Sequence, residues 1–261
     1  LAPKVAEMGF DLIELPLEDI SLIDTDEAAQ ILRDNGLAVS TCVAMGPDRD
    51  LIHPELPIRD NGAQYIRDAV DATSALGGTN LVGPIYAAVG RTWRTTPEER
   101  QREIDLLVDQ LRKLAAYADA QGVVLCLEPL NRFETSFMNL AEQAVEVVER
   151  VDHPSCKIML DTFHMNIEEK SPGDAIRTAG THLKHVHSCE NDRGTPGSGN
   201  VLWDDVAAAL NEIGYDGPVV IESFTDKVES IARAAAIWRT LAPSQDGLAQ
   251  DGLAFLKHKL S

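Results

Sequence analysis

Short apolar runs rich in β-branched residues recur along the chain, and a stretch with helical spacing of its apolar positions follows each of them. Seven runs are predicted strands, at residues 10–16, 37–44, 79–85, 122–129, 156–163, 182–188 and 217–224. The clearest helix is "ERQREIDLLVDQLRKLAAYADAQG", with Gly122 just past the helical pattern. Near-continuous apolar strands that alternate with helices are typical of a parallel sheet covered on its outside by helices.

This alternation predicts a (β/α)8 barrel, although the fold needs eight strands and the pattern supplies seven. The chain opens with "APKVAEMGF", which resembles the tail of a first helix, so we expect the first strand to be missing from this sequence. An open seven-stranded arrangement is the alternative. No linker interrupts the pattern, so we expect one domain over residues 1–261, with a terminal helix at about 243–261.

Four consecutive predicted strands end in a side chain that commonly binds metal ions. These are Glu128, Asp161, His187 and Glu222, separated by 33, 26 and 35 residues. Functional groups of such barrels lie at the C-terminal ends of the strands, so the four side chains should meet at one rim. One acidic residue at a strand end has a structural role about as often as a functional one, but four in register favour a ligand set. Three carboxylates and one imidazole suit Mn²⁺, Mg²⁺ or Co²⁺ better than a structural Zn²⁺.

Three polar residues follow these strands in the loops where a substrate would lie: Glu134, His164 and Arg193. Each of them alone is more often a loop charge or a helix cap, but their shared position favours substrate contact. Strand alternation predicts that His185 points inward one layer below His187, as a supporting or core histidine. We assign no function to His182, which lies at the start of the same strand.

The composition limits the kinds of partner that we expect this protein to bind. Acidic residues outnumber basic ones 42 to 23, which gives a formal charge of −19. A field of this sign repels nucleic acids and anionic membranes, so we expect neither as a partner. The four cysteines are far apart, no apolar run approaches the ~20 residues of a membrane span, and the N-terminus does not resemble a signal peptide. A cytoplasmic protein with reduced thiols is therefore expected.

Four motifs resemble those of the ketose 3-epimerases, the D-tagatose and D-psicose (allulose) 3-epimerase family of the xylose-isomerase-like barrels. They are "LEPLNRFET", "MLDTFHMNIEE", "HVHSCENDRGTPGSG" and "VVIESF". The resemblance extends over nearly the whole chain and implies one divalent ion, Mn²⁺ with Co²⁺ or Mg²⁺ as alternatives, held by Glu128, Asp161, His187 and Glu222. It implies that the ketose is contacted by Glu134, His164 and Arg193. It also implies a homodimer or homotetramer, and a double role for Glu128 and Glu222 as the acid–base pair.

The resemblance implies epimerisation at C3 through a cis-enediolate, with interconversion of the D-tagatose/D-sorbose or D-fructose/D-psicose type. Proton delivery to the opposite face of the sugar calls for two bases, which the two glutamates supply. One alternative is an aldose–ketose isomerase of the same superfamily, of the hydroxypyruvate or xylose type. A metallonuclease of the apurinic endonuclease type is disfavoured by the charge of −19. A metal-binding but inactive fragment is a further alternative, because the first strand is absent from the pattern.

Overall fold

The computed structural model describes residues 1–260, in which seven parallel strands form one sheet whose order follows the chain. The strands are β1 Leu12–Pro16, β2 Ala38–Cys42, β3 Asn80–Gly83, β4 Val124–Leu127, β5 Cys156–Asp161, β6 Leu183–His187 and β7 Val219–Val220. Each predicted run contains one of them. The sheet curls into a nearly closed TIM barrel, so the predicted fold class is confirmed.

Helices connect the strands and cover the outside of the sheet. They are α1 Ala2–Glu7, α2 Thr25–Asp34, α3 Leu56–Ala75, α4 Pro97–Ala120, α5 Ala141–Val151, α6 Thr162–Glu168, α7 Pro172–Ala179, α8 Trp203–Glu212, α9 Glu229–Ala234 and α10 Gln245–Lys259. Helix α4 begins at a capping box, in which Thr96 and Glu99 each accept the backbone N–H of the other. Helix α10 lies within the predicted terminal helix. None of the helices within residues 1–260 is both long and apolar enough to cross a bilayer.

Apolar side chains pack in two places, on either side of the strands. The larger core lies between the sheet and the helices and includes Ile66, Leu107 and Leu125, all fully buried. A small separate cluster of Val82, Cys126 and Met159 is also fully buried. These three belong to the inward-facing set of β3, β4 and β5, two residues before the barrel end in β4 and β5. The small cluster thus closes the barrel interior below the polar end.

The barrel is least continuous between β7 and β1. Strand β7 has two residues, both half-buried, and it pairs with β6 through Val186↔Val219 and His187↔Val220. Within residues 1–260 no hydrogen-bonded ladder joins β7 to β1. The residues after β7 therefore have no second strand partner in the described part of the chain, and side-chain contacts hold them in place.

Candidate active site

The four strand-end residues that the sequence singles out lie together at the C-terminal end of the barrel. Nδ1 of His187 lies 3.7 Å from Oε2 of Glu222 and 4.0 Å from Oδ2 of Asp161. Ligand atoms of Glu128, Asp161 and His187 all lie within 4.8 Å of one another. Three carboxylates and an imidazole nitrogen thus converge on one small volume. Their predicted role as metal ligands stays a prediction.

Local backbone contacts hold the first two of these side chains. The backbone N–H of Glu128 donates to the carbonyl of Gly83 at 3.0 Å, and the Tyr86 hydroxyl donates to the Glu128 carbonyl at 2.8 Å. Gly83 has φ +123°, and a Cβ there would lie 2.2 Å from the Val43 carbonyl oxygen, so only glycine fits. Oδ1 of Asp161 caps α6 by accepting the Phe163 N–H at 2.8 Å. Its other oxygen, Oδ2, faces the cluster.

Arg193 reaches into the cluster and bridges two of its carboxylates. Its Nη1 donates to Oδ2 of Asp161 at 2.5 Å and also to Oε2 of Glu222. The guanidinium carbon lies 4.1 Å from the centre of the Phe163 ring, an arrangement that supports a cation by its π face. Burial opposes the charge of Arg193, but Asp161 and Glu222 raise its pKa well above the ordinary value. The guanidinium of Arg193 therefore keeps its positive charge at the centre of the site.

The loop that carries Arg193 is folded around a buried carboxylate. Oε1 of Glu190 accepts the Trp203 indole N–H at 2.8 Å and the Gly197 N–H at 2.9 Å. The Ser223 hydroxyl donates to the Arg193 carbonyl at 2.7 Å. Arg193 itself has φ +64°, a left-handed conformation that is uncommon for a side chain of this size and occurs often at functional sites. The sequence pattern does not identify this role of Glu190.

Asn131 connects the two remaining predicted substrate residues. Its backbone N–H donates to Nδ1 of His164 at 3.0 Å, and its side-chain Nδ2 donates to Oε1 of Glu134 at 2.7 Å. An accepting Nδ1 leaves the proton of the neutral ring on Nε2, which lies 3.5 Å from Oε1 of Glu128. Burial, together with Arg193 and His187, outweighs Asp161 and lowers the pKa of His164 to about 3. His164 is therefore a neutral donor that faces the site.

One further acidic residue of the site is not predicted from the sequence. Glu14, on β1, lies with Oε1 2.6 Å from Nε2 of His187 and Oε2 2.9 Å from Nε2 of His185. His185, predicted to be a supporting or core histidine, is buried and lies beside Glu14, not beside one of the predicted ligands. The sequence does hold an indication that Glu14 has a special role, because it is a charged residue at an inward position of the apolar run "FDLIELP".

The pKa values of the two predicted acid–base glutamates are shifted in opposite directions. Burial raises the pKa of Glu128 well above its ordinary value, and the opposing effects of His187 and Arg193 do not cancel it. Burial also acts to raise the pKa of Glu222, but Arg193 and His187 outweigh it and lower that pKa to about 2. Carboxyl groups whose pKa values are driven apart are typical of a proton donor and a proton acceptor.

The residues present fit a divalent cation. Nδ1 of His187 is buried and has no hydrogen-bond partner within residues 1–260, although three carboxylates surround it. A buried imidazole nitrogen without a partner, beside several carboxylate oxygens, is a set of groups that a hard or intermediate cation can bind. Within the described residues, Cys189 is the one thiol in the groups that could hold an ion, so the cluster is not a cysteine-rich set of the structural zinc type.

Fold and site together define a TIM-barrel protein with a carboxylate-rich centre at the C-terminal ends of its strands. A profile of the xylose isomerase-like TIM barrel family matches residues 2–259. The D-psicose 3-epimerase of Ruminiclostridium cellulolyticum is 36% identical over 246 residues, or 93% of this chain and 84% of that protein. The ketose 3-epimerase of Arthrobacter globiformis is 34% identical over 260 residues, or 99% of this chain and 89% of that protein.

A solved structure extends this similarity to three dimensions. The crystal structure of D-psicose 3-epimerase with D-tagatose from Clostridium cellulolyticum H10 matches with a TM-score of 0.93 and 33% identity, covering 100% of this chain and 92% of that chain. The chain therefore belongs to the xylose isomerase-like TIM barrel family. The resemblance to the ketose 3-epimerases and the prediction of an enzyme of the isomerase class are both confirmed.

Proposed function

We propose that this protein is a metal-dependent ketose 3-epimerase. The observation that carries the proposal is the convergence of Glu128, Asp161, His187 and Glu222 at one end of the barrel, with a buried His187 Nδ1 that lacks a hydrogen-bond partner within the described residues. Relatives that match almost the whole chain are named as 3-epimerases of ketoses. Mn²⁺ is the proposed ion, with Co²⁺ and Mg²⁺ as alternatives, because oxygen ligands with one imidazole suit these ions.

The proposed substrate is a ketohexose without a charged group, in the D-tagatose/D-sorbose or D-fructose/D-psicose series. The matching crystal structure from Clostridium cellulolyticum holds D-tagatose. Hydroxyl groups call for several donors and acceptors at short range, which Arg193, His164 and Glu134 offer in one place. The formal charge of −19 disfavours an anionic substrate such as a sugar phosphate.

The proposed reaction removes the C3 proton, forms a cis-enediolate and returns a proton to the opposite face. When bound, the metal supplies a Lewis acid that stabilises the negative charge developing on the oxygens of the enediolate. Glu128 follows β4 and Glu222 follows β7, with two strands between them around the barrel, so each approaches the sugar from its own side. One glutamate accepts the C3 proton as a carboxylate, and the other donates a proton to the opposite face as the protonated acid. Exchange with solvent restores the starting protonation states, and the roles exchange in the reverse direction.

The remaining residues hold the sugar during proton transfer. The Nε2–H of His164 and the guanidinium of Arg193 donate to sugar oxygens, and Glu134 accepts from a hydroxyl group. Arg193 exchanges its contacts with Asp161 and Glu222 for contacts with the substrate as the site fills. Fixed donors of this kind hold the substrate in the reactive geometry without a further loss of entropy in the chemical step.

Solvent exchange tests this proposal. Metal-stripped protein is loaded with Mn²⁺ and incubated with D-fructose in D₂O, and the sugars are separated and analysed by NMR. We expect D-psicose with deuterium at C3, and we expect Glu128→Gln and Glu222→Gln each to abolish epimerisation. Glu212→Gln, an exposed substitution of the same type on α8, should keep wild-type activity. Active enzyme without label at C3 would contradict the mechanism, and label at C1 or C2 with an aldose product would identify an aldose–ketose isomerase.

A further inference from the structure

A buried carboxylate lies on the opposite side of His187 from the predicted metal ligands. Glu14 approaches Nε2 of His187 at 2.6 Å, whereas Nδ1 faces Asp161 and Glu222 on the other side of the ring. Glu14 and His187 are 173 residues apart in sequence, on strands β1 and β6. The imidazole therefore lies between one carboxylate outside the predicted ligand set and several inside it.

This geometry determines which nitrogen of His187 is available to a metal ion. A histidine that binds a metal through one nitrogen commonly donates the N–H of the other to a carboxylate, which fixes the tautomer and the plane of the ring. With Glu14 as acceptor, Nε2 carries a proton, and Nδ1, which faces the cluster, is the nitrogen that can offer its lone pair to a metal ion. Without Glu14, the buried ring would have no acceptor at Nε2 among the contacts within residues 1–260.

Glu14 is itself held in place by its neighbours. The Ser40 hydroxyl donates to Oε2 of Glu14 at 2.6 Å, and Ser40 is the direct partner of Glu14 in the β1–β2 ladder. Nε2 of His185 lies 2.9 Å from the same oxygen, and the carboxylate side chain is 7% exposed. Both oxygens of Glu14 therefore have partners already. This occupancy favours a positioning role over a second ion bound by Glu14, His185 and His187.

We infer that Glu14 is a positioning residue that orients His187 so that Nδ1 faces the metal site. The inference rests on the metal site of the proposed function and adds a residue to it from a strand that supplies none of the predicted ligands. Because Glu14 acts through His187, its removal should lower the affinity for the metal while the four proposed ligands remain in place.

Two substitutions at the same position separate orientation from charge. Glu14→Gln removes the charge but keeps Oε1 as an acceptor for the His187 N–H, whereas Glu14→Ala removes both. We expect Glu14→Ala to weaken Mn²⁺ binding to the stripped protein by about 10–100-fold, and Glu14→Gln to lie between Glu14→Ala and the wild type. Isothermal titration with Mn²⁺ measures the dissociation constants and the number of ions bound per chain, with Glu212→Gln as the control for a distant charge.

The outcomes distinguish this inference from the proposed function. Equal weakening in Glu14→Gln and Glu14→Ala would mean that only charge matters, and wild-type affinity in both would mean that Glu14 has no role; either result overturns the inference. Two ions per wild-type chain, with one lost in Glu14→Gln, would make Glu14 a ligand and also overturn it. Wild-type protein that binds no Mn²⁺ would refute the proposed function instead. If Glu14→Ala does not fold, Glu14→Gln must still bind more weakly than the wild type, with unfolding of the metal-free proteins measured alongside.

Discussion

At the scale of single residues, His164 shows how a backbone contact determines the chemistry of a side chain. The Asn131 N–H donates to Nδ1, and burial lowers the pKa of His164 to about 3, so Nε2 keeps its proton and the ring stays neutral. We expect one neutral tautomer, with the proton on Nε2, throughout pH 5–8. Long-range ¹H–¹⁵N NMR of protein labelled at histidine measures this directly. An imidazolium pattern for His164 above pH 5 would contradict the assignment.

Some residues of the site can be predicted from the sequence and others cannot, for a physical reason. The strand ends of a parallel barrel meet at one rim, so the positions of Glu128, Asp161 and His187 along the chain are enough to predict that they lie together. Glu14 lies inside its strand, where alternation indicates that it faces inward but does not identify the partner it meets across the barrel. Asn131 acts partly through its backbone N–H, a group that almost every residue type has, so the residue type does not reveal this role.

At the scale of helices and strands, one carboxylate fastens α8 to the start of α7. Oδ2 of Asp205 accepts the Ser171 hydroxyl at 2.8 Å and the Gly173 N–H at 3.0 Å, and Arg177 lies 3.4 Å from Oδ1. These contacts, with the Ser171 hydrogen bond the largest, outweigh burial and lower the pKa of Asp205. We expect Asp205→Asn to lower the free energy of unfolding by about 1 kcal/mol at pH 7, as measured by urea denaturation.

The pH dependence of that loss follows from the direction of the pKa shift. A carboxyl group with a lowered pKa in the folded state stabilises the fold above its ordinary pKa, and this contribution is lost as the pH falls through the folded value. The difference between wild type and Asp205→Asn should therefore be constant between pH 5 and 7 and decrease toward pH 3. Asp204→Asn is the neighbouring control, because its side chain is 95% exposed, and it should change stability little. A difference that persists unchanged at pH 3 would refute the electrostatic explanation.

Element boundaries are less predictable than element order. The apolar pattern predicts a strand over 217–224, but only Val219–Val220 pairs with a neighbour. Apolar, β-branched composition indicates that a segment favours a strand, but the length of the ladder depends on the strand beside it. Similarly, the strand predicted over 156–163 stops at Asp161, because the carboxylate of Asp161 caps a helix that begins at Thr162. Capping by a residue that also faces the site cannot be read from hydrophobic periodicity alone.

At the scale of the whole barrel, β7 is the strand with the fewest backbone contacts, yet it precedes Glu222. The carbonyls of Pro218 and Val220 accept N–H groups of Val186 and Ser188 on the β6 side, and no ladder connects β7 to β1 within residues 1–260. A cation bound by Glu128, Asp161 and Glu222 would connect this segment to β4 and β5. Metal binding should therefore hold the segment after β7 more firmly as well as complete the site.

Hydrogen exchange with and without Mn²⁺ measures this stabilisation. At a free ion concentration 100-fold above the dissociation constant, binding stabilises the folded state by about 2.7 kcal/mol, which slows exchange through opening by up to about 100-fold. We expect slowing in the peptides that cover residues 183–190 and 217–224 to exceed that in the α3 peptide, which covers residues 56–75 on the outside of the barrel. Asp161→Asn, which lacks one proposed ligand, should show little dependence on Mn²⁺ in any peptide. Uniform slowing across the chain would mean that the metal stabilises the barrel as a whole and that β7 is not its weakest strand.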